Sequence, residues 1–166
     1  MRTIVVGVDG SAESRNALSW AIEEAAVRDA RVEAVYAYDH TPAWYAYGYG
    51  GAGDDPDRVA QREARLQERA TREDASAQQR AEALVRSTVD AVATDPAVPV
   101  VPVAVADRRP AHALIERSRD ALLLVVGSRG RGGFAGLVLG SVSQQCAQHA
   151  ACPVVIHSAT NDATST

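Results

Sequence analysis

Apolar residues along this chain change their spacing several times, from short unbroken runs to a period of three or four, and the changes mark out strands and helices in alternation. Thr3 to Val8 is an apolar strand, and from about Ser11 to Asp29 the residues Ala17, Leu18, Ala21, Ile22 and Ala25 share one helical face. Val32 to Tyr38, rich in β-branched and aromatic residues, is a second strand. Residues 57 to 93 carry one long helical pattern, rich in Arg and Glu at first, then apolar through Ala83, Leu84, Val85, Val89 and Val92. Val98 to Val105 predicts a third strand, which Pro99 and Pro102 push toward a sheet edge because proline cannot donate to a ladder. Pro110 opens a helix to about Arg119. The run Ala121 to Val126 then has the unbroken apolar character of a strand covered on both faces. A helix through Val142 to about Ala151 and a last strand, Val154 to His157, complete the pattern. Five strands separated by helices predict an α/β fold, a doubly wound parallel sheet with right-handed crossovers and helices on both faces.

Two connections depart from this regularity. Asp39 to Pro56 is long for a loop and holds Gly48, Gly50, Gly51 and Gly53, and the aromatic residues Tyr36, Tyr38, Trp44, Tyr45, Tyr47 and Tyr49 in and before it suit a flap over a ligand, a partner surface or plain surface packing. The other, Gly127 to Ser143, follows the unbroken strand and precedes a helix, the place where an open α/β sheet binds its ligand. Its spacing is G-x2-G-x9-G-S, from Gly127, Gly130, Gly140 and Ser141. Glycines allow positive φ and close approach of main-chain amides to an anion. Ser141 is the expected N-cap of the following helix, whose free amides would face the loop. The hydroxyls of Ser141 and Ser143 and the charge of Arg129 or Arg131 complete a candidate phosphate cradle.

Composition narrows the chemistry. At 166 residues and 46% hydrophobic content the chain suits one domain, residues 1–158, with 159–166 a disordered tail. A formal charge of −4 argues against a nucleic-acid surface. All 17 basic side chains are arginine, so lysine chemistry is excluded, whether P-loop, Schiff base or general base. No run has the length of a membrane span or a secretory leader, which makes cytoplasm the expected compartment. Cys146 and Cys152 fit neither a disulfide scaffold nor a metal spacing, and His112, His149 and His157 form no triad.

Asp9 ends the first strand ahead of Gly10 and Ser11, where its carboxylate can contact a ribose or a metal, or can cap the helix. With the glycine signature, the opening Ile4 to Ser11 and the closing Cys152 to Ile156, the chain resembles the universal stress protein family over roughly residues 2 to 158. That resemblance implies strand order 3-2-1-4-5 and, from the intact signature, the ATP-binding subgroup. Carried over by motif, it implies that Gly7, Val8 and Ala37 line an adenine pocket opposite Val126 and Gly127. Arg129, Gly130, Gly140, Ser141, Val142 and Ser143 would then carry phosphate contacts, with Asp9 toward the ligand. Ala37 stands where similar proteins have a larger aliphatic residue, which predicts looser adenine packing.

The function expected from these readings is a regulatory protein that holds ATP with Mg2+ and changes its surface on binding. A slow ATPase or phosphotransferase is the alternative, for which the sequence offers a cradle but no clear base. AMP or cyclic AMP is an alternative ligand. The resemblance implies a homodimer, and strand 154–157 is the expected edge for it.

Overall fold

The computed structural model describes residues 2–40, 55–93, 98–130 and 139–158. In chain order the elements are β1 (Arg2–Gly7), α1 (Ala12–Arg28), β2 (Ala30–Tyr38), α2 (Pro56–Asp90), β3 (Val100–Ala106), α3 (Pro110–Arg117) with a 3-10 turn Ser118–Asp120, β4 (Leu123–Gly127), α4 (Ser141–His149) and β5 (Val154–His157). The five strands pair in parallel in the order β3-β2-β1-β4-β5, as the family resemblance implies. The chain therefore reverses its direction of winding between β1 and β4, and the carboxyl ends of those two strands border one crevice.

Strand alternation explains why the central strands read as continuous apolar runs. Ile4 and Val6 of β1 and Leu123 and Val125 of β4 join Leu18, Ala21, Val85 and Val89 in a core under α1 and α2. Their neighbours Val5, Leu124 and Val126 join Val35, Leu114 and Cys146 in a second core under α3 and α4. Both sheet faces are dry, so no polar position interrupts these strands. Trp20, on α1, packs against the first core.

Element boundaries follow local chemistry. α1 ends at Asp29 in the left-handed conformation, φ 50°, with its N–H bonded to Ala25 O. Pro56 at the first turn, after the Asp55 N-cap, starts a helix of 35 residues whose buried positions fall from Ala70 onward. β3 lies at the sheet edge, with Pro102 opposite Ala34, and Pro99, expected within the strand, precedes it. β4 begins two residues later than its apolar run, because Ala121 N–H closes the 3-10 turn onto Ser118 O. The aromatic segment Trp44 to Tyr49, Arg131, Phe134 and the tail from 159 lie outside the described residues.

Candidate functional site

The crevice between β1 and β4 opens into a cleft of about 460 Å³ at the carboxyl end of the sheet. Its lining includes Gly7, Val8 and Asp9 from the end of β1, Ala37 from β2, and Val126, Gly127, Arg129 and Gly130 from β4 and the chain beyond it. Gly140, Ser141, Val142 and Ser143 at the start of α4 close it. Apart from Arg131, which lies outside the described residues, the residues singled out from the motif line one concavity. Its apolar wall continues the second core upward, since Val35, Leu114, Val126 and Val142 belong to both.

The glycines act chiefly by permitting close approach. A Cβ on Gly130 would stand 2.6 Å from Asp9 Oδ2, and one on Gly7 would stand 2.8 Å from Leu114 Cδ1. At Gly127 the nearest atoms would be Arg129 O at 3.1 Å and Glu13 Cβ at 3.4 Å. Positive φ is used elsewhere. Among the described residues Gly10 is the glycine with positive φ, at 78°, and it makes the turn between Asp9 and α1. Of the two reasons expected for the signature glycines, positive φ does not apply at Gly127, Gly130 or Gly140, and tight approach applies at Gly130 and Gly127, whereas a Cβ on Gly140 would meet its nearest atoms at 3.6 Å.

The loop is closed by its own main chain. Gly140 N–H donates to Ser128 O at 2.8 Å, and Ser128 N–H donates to His157 O at 2.8 Å. Gly140 itself is the N-cap of α4, at φ −76°, and Ser141 is the first helical residue. This corrects the expected cap: the turn is held by Gly140 O, which accepts Gln144 N–H at 3.0 Å, without any side-chain cap. Ser143 also differs from expectation, because its hydroxyl, in a residue only 2% exposed, donates to Gly140 O at 2.9 Å and Ser128 O at 3.1 Å. Its side chain thus ties Ser128 to the first turn of α4. The first-turn amides of Ser141, Val142 and Ser143 have no intrahelical acceptor by the geometry of a helix start, and with the helix dipole they offer an anion a positive terminus.

Asp9 lines the same cleft as this terminus. Ser11, two residues later, is the N-cap of α1 and accepts Ser14 N–H at 3.1 Å, so capping does not fall to Asp9. Asp9 Oδ1 instead accepts the Ser11 N–H at 2.9 Å and the Ser11 hydroxyl at 2.6 Å. Arg129 is exposed at the rim.

Tyr36, singled out with the aromatic segment, also lines the cleft, and several further lining residues carry no motif signal: Ser14, Val35, Pro110 and Leu114. Val35 shares a strand face with Ala37, a period-two relation readable from sequence, and Leu114 lies one helical turn beyond Pro110. What sequence could not supply is that α3 lays this turn over Gly7. Beside it, His112 Nδ1 lies 2.6 Å from Asp107 Oδ2, and Asp107 Oδ1 accepts Arg109 N–H at 2.9 Å. Burial works to raise the Asp107 pKa, but the bonds from His112 and Arg109 and their charges outweigh it and hold it below its ordinary value of 3.8. Cys146, beneath α4, has its thiol pushed up to about 11 by burial, which makes it an inert packing residue. Among the described residues no group of three or more His, Cys, Asp or Glu could hold a metal, and no helix is long and apolar enough to cross a membrane.

Comparison with known proteins agrees with this geometry. The model of one family, described as the universal stress protein family, matches residues 1–157. A universal stress protein of Mycobacterium tuberculosis is 36% identical over 156 residues, which cover 92% of this chain and 44% of that protein. A second from the same organism is 34% identical over 156 residues, covering 94% of this chain and 48% of its own length. The chain thus spans about half the length of these curated relatives. Among solved structures it is similar to a universal stress protein in complex with cAMP, at 26% identity and a TM-score of 0.60, with 95% of this chain and 96% of that chain covered. A universal stress protein from Archaeoglobus fulgidus in complex with dAMP shares the fold, at 21% identity and a TM-score of 0.51, with 94% and 97% covered.

Proposed function

The chain belongs to the universal stress protein family, and from that premise we propose that it is a regulatory protein whose cleft binds an adenine nucleotide, ATP with Mg2+, and whose surface changes with occupancy. The observation that carries this reading is the convergence of an apolar slot and a helix amino terminus on one 460 Å³ cleft at the switch point of the sheet. The slot, walled by Val35, Ala37, Leu114 and Val126, suits a purine, and the first-turn amides of α4 suit phosphate. The complex of a 26% identical relative with cAMP supports the adenine assignment.

Asp9 is the residue that would hold Mg2+. One carboxylate fits that ion, which commonly takes one or two carboxylates and completes its shell with phosphate oxygens and water. When bound, the metal supplies neutralisation of the outer phosphates. The residues themselves orient: Gly130 lets the loop approach Asp9, and Ser143 fixes the loop to α4. The same proposal pairs two copies along β5, an edge strand of partly exposed residues without proline, whereas β3 at the opposite edge carries Pro102.

Thermal melting tests the binding reading. Nucleotide at a hundredfold excess over its dissociation constant adds about 2.7 kcal/mol of stability, an upward shift of roughly 5–10 °C for a domain of this size. Absence of any shift with Mg-ATP, AMP and cAMP would overturn it, and mass spectrometry of ligand released from gently purified protein identifies which nucleotide the cleft retains.

A further inference from the structure

Asp9 reaches the cleft with both of its polar ends held by the start of α1. Its carboxylate Oδ1 accepts two bonds from Ser11, one from the N–H and one from the hydroxyl. Its own N–H donates to Ser14 Oγ at 3.3 Å, and Ser14 Oγ in turn donates to Ser11 O at 3.0 Å. Gly10, with φ 78°, is the turn that folds Ser11 back onto the carboxylate.

Ser11 Oγ performs two tasks at once. It accepts Ser14 N–H as the helix cap and gives its single proton to Asp9. A chain of donors running one way, from a helix amide through a hydroxyl to a carboxylate, strengthens each of its links. With Oδ1 fixed in this manner, Oδ2 is directed toward Gly130, 2.6 Å from where a Cβ there would stand. A short side chain with two torsions has little freedom left once one oxygen is so bound.

We propose that Ser11 is a positioning residue for ligand binding. Its hydroxyl sets the orientation of Asp9 that the adenine nucleotide meets, a role separable from its capping of α1. This rests on the reading of the cleft as an adenine-nucleotide site. Ser11→Thr keeps the hydroxyl and the cap. Ser11→Gly removes the hydroxyl, and glycine at an N-cap costs little helix stability, whereas Ser11→Ala removes the hydroxyl and costs more. If orientation of Asp9 is the function, affinity follows the hydroxyl and not the melting temperature.

The test is calorimetric titration of the full chain and these three variants with Mg-ATP, AMP and cAMP, alongside melting of each unliganded protein. Ser11→Thr is expected to bind within about twofold of the wild type. Ser11→Gly and Ser11→Ala are each expected to lose about tenfold, the scale of a hydrogen bond to a charged group, although they differ in melting temperature. Wild-type affinity in Ser11→Gly, or a loss that tracks melting temperature across the series, overturns the role of Ser11 and leaves the nucleotide site standing. A wild-type protein that binds none of the three removes both.

Discussion

Toward the amino end of the sheet, Glu33 of β2 accepts Arg31 at 3.0 Å and Arg117 of α3 at 3.1 Å, and Arg31 also reaches the Thr3 hydroxyl at 3.0 Å. At the carboxyl end of the neighbouring strands Asp9 and the first turn of α4 line one cleft. Both ends bring charge or dipole to a partly buried place. At the first, positive and negative side chains saturate each other and fasten α3 to the sheet. At the second, the amide and hydroxyl of Ser11 hold Asp9 Oδ1, and main chain and the Ser143 hydroxyl tie Ser128 to Gly140 at the start of α4. A polar group stabilises the fold where it meets its complement and is available for binding where it is held by something else.

That contrast can be broken from either side. Gly130→Ala acts only on the carboxyl end, where the new Cβ would sit 2.6 Å from Asp9 Oδ2 and turn the carboxylate so that Oδ1 leaves the Ser11 hydroxyl. Nucleotide affinity should fall roughly tenfold to a hundredfold, about 1.4–2.7 kcal/mol, in a calorimetric titration. The melting temperature should move by less than about 3 °C. Glu33→Ala is the converse. It leaves Arg31 and Arg117 without their shared acceptor and should cost about 1–2 kcal/mol, an amount discounted for the partial exposure of both arginines. Melting temperature should drop by about 3–6 °C with affinity unchanged. A Glu33→Ala protein with impaired binding would mean that the two ends are coupled.

A smaller effect sharpens the border between them. Asp107 lies at the end of β3, ahead of the α3 turn that walls the cleft, and its pKa is held below 3.8. A depressed carboxylate contributes stability that is present above its unfolded value and is lost as pH falls through the folded one. Acid unfolding below about pH 4 should therefore be less steep in Asp107→Asn than in the wild type, and above pH 5 the Asp107 titration adds no slope. His112→Ala, which removes a partner 46% exposed, should cost under about 1 kcal/mol at neutral pH by chemical denaturation.

The sheet was legible because its causes are local in sequence. Runs buried on two faces, Pro102 on an edge strand and Pro110 at a helix start each bear their reason in a few residues, whereas Pro56, read as the end of the preceding loop, opens α2. The order of strands required the family resemblance, since periodicity carries no neighbour relation. Within the cleft, Gly127, Gly130 and Gly140 stood out by spacing, but what crowds Gly130 is Asp9, far away in the chain. Ser143 looked like an anion donor because a hydroxyl follows the signature; only the return of the loop to Ser128 turns that hydroxyl inward. Leu114 was invisible for the same reason, as its contact with Gly7 spans α3 and β1. Long-range packing decides such roles, and a single sequence does not record it.

The central claim is that the α4 amino terminus and the apolar slot together form one nucleotide site. Amide chemical-shift mapping by NMR during titration with Mg-ATP and with AMP tests it most directly. The expected result is saturable movement of the Ser141, Val142 and Ser143 amides together with those of Gly7, Ala37 and Val126, while Thr3, Arg31 and Glu33 stay in place. Movement confined to residues outside the cleft, or none at saturating nucleotide, would contradict the account.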